Sequence, residues 1–284
     1  MFTSVLEGSQ TRGDRPDAIV PWWSFGKTVL ATAALAMVEQ GTLSLDGPLA
    51  GEPYTLRQLL QHRAGLRDYG ELPAYHQAVA AGEAAWTVPE MLARAEALPR
   101  AEPGSGWAYS NIGYLRVREL IEAAFGEPLE AALAALVLEP LGLGDVHLAR
   151  RPADLAGAEM GRVYDPAWVY HGLLVGPLSS AARLMGGLVA GRLLSPSSLA
   201  EMRRGWPLPQ YAGTVFAAPA YGLGLMVPRS ADGWTMTGHS GGGPGSSLAV
   251  YAFEHRSTPR TVAVFVPSEK EGVAEAAVFD LGRA

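Results

Sequence analysis

Strand-like segments lie at both ends of this chain, and helical periodicity fills the stretch between them. A strand needs partners for its backbone N–H and C=O groups. Segments so far apart therefore point to one sheet completed by both termini. Residues 2–6 and 18–23 are short apolar runs separated by a polar stretch with Gly13, Asp14 and Pro16, and are expected to form a small strand pair. After residue 210, Tyr221–Val227, Trp234–His239, Leu248–Phe253 and Thr261–Pro267 read as strands between Gly, Pro and charged turns. Gly272–Leu281 reads as a closing amphipathic helix, with Gly282 just past its end. The expected fold class is α/β (α+β): an antiparallel sheet formed by both termini, flanked by helices, with an inserted mostly helical region. One domain is expected over 1–284, with a sheet region of 1–45 plus 210–284 and a helical region of 46–209.

From Ser24 to Gln40, Val29, Leu30, Ala33, Ala34, Met37 and Val38 recur at helical spacing, and Gly41 is a good stop. This helix is apolar on most sides and belongs in the core. Its longest apolar run, Val29–Val38, is broken by Thr32 and is too short to cross a bilayer. Further helices are expected from Thr55 to His62, over Val88–Leu98, Asn111–Phe125, Pro128–Leu138 and Ser179–Ala190, and shortly over Ser197–Arg204. Residues 145–178 have weak periodicity and read as a long irregular stretch, of a kind that often lines sites.

With 48% hydrophobic and 18% charged residues the chain can bury a sizeable core. A formal charge of −6 gives no general electrostatic footprint for nucleic acid or an anionic membrane. There is no cysteine, which removes disulfides, thiolate nucleophiles and Cys-ligated metals. His76, His147, His171 and His255 are isolated, no metal-ligand spacing is visible, and no metal or cofactor is expected. The first twenty residues carry Glu7, Arg12, Asp14, Arg15 and Asp17 and no apolar signal region. The expected compartment is therefore cytoplasmic for the chain as it stands, and periplasmic or secreted if a leader was removed.

Twenty of the twenty-two basic residues are Arg; the lysines are Lys27 and Lys270. Lys270 sits in a polar run and reads as solvated surface, whereas Lys27 opens the apolar helix. Ser24 stands three residues before it, on the same helical face. A serine hydroxyl needs a neighbouring base to become a nucleophile. Burial and the positive end of a helix both disfavour an ammonium, so a lysine so placed can serve as that base. The plainer reading is a Ser cap beside an unrelated Lys. Tyr109 and Asn111 precede another helix and read either as a second acid–base with a substrate anchor, or as a buried Tyr with Asn111 capping that helix. The glycine run Gly238–Gly245 reads as a close approach with N–H groups for an oxyanion, or as a flexible hairpin turn. Gly238–Gly242 also fits the G-x-S-x-G nucleophile elbow around Ser240. That elbow needs a helix after the serine, which Gly243-Pro-Gly disfavours, and a later acid and His. Only the adjacent Glu254 and His255 are available, and on a strand they point to opposite faces.

These residues together resemble the penicillin-recognising serine hydrolases, in the branch of class C β-lactamases, D-alanyl-D-alanine carboxypeptidases, D-aminopeptidases and β-lactamase-like esterases. Ser24-Phe-Gly-Lys27 is similar to the family S-x-x-K, and Leu59-Leu-Gln-His-Arg-Ala-Gly-Leu66 to its L-L-x-H-x-S-G-L. The block from Glu102-Pro-Gly to Tyr109-Ser-Asn111 and Gly113-Tyr114 is similar to P-G-x-x-x-x-Y-S-N-x-G-Y. Glu139-Pro-Leu-Gly-Leu143 and Tyr221-Gly-Leu-Gly224 resemble P-L-G-M and Y-G-L-G, and Gly238-His-Ser-Gly-Gly242 resembles the third motif in its H-x-G variant. The resemblance implies one catalytic domain that acts through an acyl-enzyme on a small-molecule ester, small amide, D-amino-acid peptide or β-lactam. Ser24 would attack, Lys27 help deprotonate it, and Tyr109 shuttle the proton to the leaving group. Asn111, His239, Ser240 and Gly241 would contact substrate, and the N–H groups of Ser24 and Gly242 would form the oxyanion hole. Gly26 departs from the usual residue before Lys, and His239 replaces a fixed positive charge. With an ordinary pKa of ~6.5, His239 is largely neutral at pH 7, which favours ester or amide work over β-lactam hydrolysis. The alternative is a penicillin-binding or sensor-type protein that acylates at Ser24 without useful turnover. Trp22, Trp23, Trp107, Trp168 and Tyr170 are candidates to line an apolar cleft, or simply to pack.

Overall fold

Both ends of the chain enter one antiparallel sheet. The computed structural model describes residues 1–98, 100–160, 164–213, 215–231, 233–254 and 259–284. In chain order the elements begin with β1 (Phe2–Glu7), β2 (Gln10–Arg12), β3 (Ile19–Pro21), α1 (Gly26–Glu39), α2 (Leu56–Leu60), α3 (Pro73–Ala80), α4 (Val88–Ala95), α5 (Asn111–Phe125) and α6 (Leu129–Leu133). They continue with β4 (His147–Ala149), β5 (Leu173–Pro177), α7 (Leu178–Val189), α8 (Pro196–Met202), β6 (Trp206–Pro207), β7 (Ala220–Tyr221), β8 (Met236–Gly243), β9 (Ser246–Phe253), β10 (Arg260–Val266) and α9 (Glu271–Arg283). The main sheet has the order β2-β1-β10-β9-β8, with Phe2 opposite Phe265 and Met236 opposite Phe253. α7 and α9 both pack on its central strands. Arg260 ties the ends together: its guanidinium donates to Glu7 and, at 2.7 Å, to the Leu281 carbonyl.

α1 is the inner helix. Every residue from Gly26 to Met37 is buried, and Gly41 leaves the helix at φ +76. Local signals set the other helices. Thr55 and Gln58 form a reciprocal capping box on α2, worth about 1 kcal/mol. Thr87 caps α4, and Ser110 caps α5, which ends at Gly126 in the left-handed conformation. Asn111 is thus the first residue of α5 rather than its cap. The Pro128–Leu138 helix divides into α6 and a π-turn over Ala134–Leu138.

Four expectations are corrected. Residues 2–6 and 18–23 do not pair with each other. β1 pairs with β10 and β2, whereas β3 joins a separate sheet of order β3-β5-β4. Residues 145–178, read as irregular, supply the other two strands of that sheet. Tyr221–Val227 keeps only the two-residue β7, joined to Gly238 through Met226. Gly282 lies inside α9, where a Cβ would overlap the Phe253 ring. α3 is an addition with one buried residue, Ala78, too little apolar surface to mark it in the sequence. No helix among the described residues is long and apolar enough to cross a membrane.

Candidate active site

The turn Trp23–Phe25 runs directly into α1, so Ser24 and Lys27 stand one turn apart with their polar ends together. Lys27 Nζ donates to Ser24 Oγ at 3.1 Å and to Asn111 Oδ1 at 2.6 Å, and lies 3.3 Å from His171 Nε2. Tyr109 OH donates to Ser24 Oγ at 2.6 Å. Lys27 is fully buried, with its ammonium end 4.9 Å from the Tyr109 ring centre and 5.5 Å from that of Tyr114. Lys270 is exposed. The two lysines therefore occupy opposite environments, and one of them is enclosed against a serine.

The loop carrying Tyr109 is held by His62. The His62 carbonyl accepts from Ala108 N–H at 3.0 Å, and its Nδ1 accepts from Ser110 N–H at 3.1 Å. An Nδ1 that accepts places the ring proton on Nε2. Burial, and then the charge of Lys27, pushes His62 well below its ordinary pKa, so it is neutral. His62 is a brace for the loop.

Gly238–Gly243 of the glycine run is strand, and Pro244 and Gly245 alone make the hairpin turn. A Cβ on Gly241 would overlap Ser24 N and come within 2.9 Å of Trp23 Cβ, and one on Gly243 would overlap the Trp23 indole. The glycines let β8 lie directly against the Ser24 backbone. Trp23 holds φ +40, a left-handed conformation that costs roughly 1–3 kcal/mol in a non-glycine residue. Its Nε1–H donates to Ser246 Oγ at 3.1 Å, which pins it to the tip of the β8–β9 hairpin. Gly238 exchanges both backbone hydrogen bonds with Met226, at 2.7 and 3.0 Å. On an antiparallel strand, backbone direction alternates, so Gly238, Ser240 and Gly242 turn their N–H groups away from β9. Gly242 N–H therefore points off the open edge of the sheet, and Gly242 lines the same cavity as Ser24.

That cavity, about 600 Å³, is also lined by Tyr109, Asn111, Ser240 and Trp107. His239 is not on its wall. It is fully buried, its Nδ1 is bonded to the Ser240 carbonyl, and its Nε2 lies 2.8 Å from Tyr221 OH. A carbonyl only accepts, so the proton sits on Nδ1 and Tyr221 donates to Nε2. Burial, and then the charge of Lys27, lowers its pKa to about 3. Where a substrate contact was expected, the structure has a buried imidazole tied to Tyr221. Gly241 likewise faces the Ser24 backbone rather than the cavity. Of the candidate aromatic lining, Trp107 alone is on the wall. Trp22, Trp23, Trp168 and Tyr170 are buried. Trp168 and Tyr170 hold local backbone: Trp168 Nε1–H donates to the Glu83 carbonyl at 3.1 Å and Tyr170 OH to that of Trp86 at 2.9 Å.

The elbow reading fails on geometry. β8 runs through Ser240 into a hairpin with β9, and no helix follows. Ser240 Oγ donates to Glu275 Oε1 at 2.6 Å and lies 3.0 Å from Tyr251 OH. His255 lies outside the described residues.

Two residues that sequence reasoning did not select join the cluster. Asp68 accepts from Asn111 Nδ2 at 3.1 and 3.0 Å on its two oxygens, and from the backbone N–H of Asn111 and Gly70. Burial raises its pKa, against the opposing pull of the Gly70 N–H, Lys27 and Asn111. His171 is buried and pushed well below its ordinary pKa, first by burial and then by Lys27; its Nδ1 has no partner among the described residues. Asp68 follows the L-L-x-H-x-S-G-L segment by two positions, a signal that was available. His171 carries no local signal.

A serine sharing hydrogen bonds with a lysine and a tyrosine, between an apolar helix and the open edge of an antiparallel sheet, marks a β-lactamase/transpeptidase-like fold. The chain matches the Beta-lactamase family over residues 4–281 and belongs to it. The esterase EstB of Burkholderia gladioli is 32% identical over 152 residues, 46% of this chain and 38% of that protein. Penicillin-binding protein 4* of Bacillus subtilis (strain 168) is 25% identical over 287 residues, 89% of this chain and 62% of that protein. Both relatives are longer, and the match spans less than two thirds of either. Among solved structures, a D-stereospecific amidohydrolase from Streptomyces sp. superposes with a TM-score of 0.84 at 23% identity, covering 100% of this chain and 94% of that one.

Proposed function

We propose that this chain is a serine hydrolase that works through an acyl-enzyme on Ser24, with small esters and amides, including D-amino-acid amides and peptides, ahead of β-lactams. The observation that carries this reading is Ser24 Oγ held by both Lys27 Nζ and Tyr109 OH at the mouth of a cavity. Lys27, in its amine form, takes the hydroxyl proton as Ser24 attacks the carbonyl carbon. The oxygen that gains charge is received by the N–H groups of Ser24 and Gly242. Tyr109 carries the proton to the departing oxygen or nitrogen, and the same groups then activate the water that releases the acid. Asn111 holds Lys27 in line. The preference for esters and amides rests on charge. No Arg or Lys lines the cavity among the described residues, and His239 is neutral, so a substrate carboxylate finds no fixed cation. The name of the esterase relative is consistent with this preference.

Labelling with a fluorophosphonate, followed by intact mass and peptide mapping, tests the nucleophile. One adduct on the peptide containing Ser24 is expected; an adduct on Ser240 overturns the assignment. Ser24→Ala is expected to lower p-nitrophenyl ester turnover by ~10⁴-fold or more. A panel of p-nitrophenyl esters, D-alanine amides and nitrocefin then ranks substrates. A lasting penicilloyl adduct on Ser24 with no turnover of any of them would favour the sensor-type alternative instead.

A further inference from the structure

α9 contributes one residue to the cavity that the acyl-transfer scheme does not use. Glu275 lines it together with Ser24, Ser240 and Gly242. Among the described lining residues it is the one Asp, Glu, Lys or Arg, and Lys27 is sealed from the cavity by complete burial. Glu275 is half-buried and accepts from Ser240 Oγ at 2.6 Å. Tyr251 OH lies 3.0 Å from Ser240 Oγ and donates to Met226 Sδ at 3.1 Å. The buried Ser240 hydroxyl thus holds the Glu275 carboxyl in place as an acceptor. Among the described residues no cation pairs with it, and its burial raises its pKa, against the pull of the Ser240 hydroxyl.

A half-buried carboxylate without a cation is costly. A ligand that brings its own cation removes that cost and adds a charge-assisted hydrogen bond. Trp107, Tyr211 and Phe216 line the same cavity and present aromatic surface, which also favours a cation over an anion. The cavity is in the size range of small-molecule sites, so an acyl or leaving group and an amine fit together. We infer that Glu275 forms a subsite for a protonated amine on the substrate, and that the same carboxyl turns away substrates bearing a carboxylate. The inference rests on the acyl-enzyme reading for where the scissile bond lies, but the binding itself does not require turnover.

The test uses the full chain with Ser24→Ala and matched amides that differ in one terminal group. Calorimetric titration compares 4-aminobutyramide (cation) with pentanamide (neutral) and glutaramate (anion), and alaninamide with isobutyramide. At least one amine is expected to bind tenfold or more tightly than its neutral twin, with glutaramate weaker than pentanamide. Adding Glu275→Gln is expected to reduce the amine preference at least fivefold. A preference below tenfold for both amines, or one that survives Glu275→Gln, overturns the subsite. If the double variant does not fold, as judged by circular dichroism, the charge series on Ser24→Ala alone decides. Turnover of p-nitrophenyl butyrate by the unsubstituted chain reads the acyl-transfer proposal separately. Amine binding without any ester turnover sinks that proposal and leaves the subsite standing.

Discussion

At the scale of single residues, the amide of Asn111 decides where Lys27 points. Its Nδ2 is committed to Asp68 and its Oδ1 to Lys27, so it cannot flip without placing N–H against the lysine donor. Asp68 is therefore a positioning residue. Asp68→Ala is expected to lower kcat by about 10–100-fold through a displaced amine, with KM for a p-nitrophenyl ester changed much less. Asp68→Asn, which keeps one acceptor oxygen, should recover part of the loss. Steady-state kinetics on the pair checks both; equal effects on kcat and KM, or no rescue, would count against the role. Ser24, Lys27, Tyr109 and Asn111 were legible because short-range spacing brings Ser24 to Lys27 and Tyr109 to Asn111. His171 and Glu275 were not, because each arrives from a separate element and looks, locally, like an ordinary polar residue; Asp68 was marked only by its place two positions after the L-L-x-H-x-S-G-L segment. His239 was legible as a departure from a fixed charge, but its burial against Tyr221 is a tertiary fact.

At the scale of elements, the site depends on how closely β8 can approach the turn before α1. Gly241→Ala forces a Cβ into the Ser24 backbone. The expected result is a 10²–10³-fold loss of turnover, the scale of losing an oxyanion donor. The rate of fluorophosphonate labelling at Ser24 measures it, and a labelling rate within threefold of the parent would show that β8 is not needed there. Helices were readable from their ends: Thr55, Thr87, Gly41 and Gly126 mark boundaries that local chemistry sets. The small sheet was not. β5 is buried at every position, so it shows no alternation, and β3 and β4 have three residues each. The glycine run was ambiguous for a related reason. Residues without side chains carry no pattern, and only the opposing Trp23 and Ser24 reveal why side chains are missing.

At the scale of the whole molecule, three neutral histidines among the described residues lie in the interior. His62, His171 and His239 all have pKa values pushed down by burial, to about 3 for His239. Below the unfolded pKa of ~6.5, the unfolded chain binds protons that the folded chain does not. Stability is therefore full above that pH and falls as pH drops, by about 1.4 kcal/mol per pH unit for each histidine. Urea unfolding between pH 7.5 and 5.5 should show this decline. His239→Gln should flatten the slope by one proton's worth; an unchanged slope would mean that His239 does not titrate on unfolding. The main sheet, finally, carries a consequence for biosynthesis. The turn bearing Ser24 and the helix bearing Lys27 leave the ribosome before β8 and its neighbour β9, and β10, the partner of β1, follows later still. A nascent chain holds its serine and amine long before it owns the edge that faces them, so the reactive pocket can only be assembled after β8 has emerged.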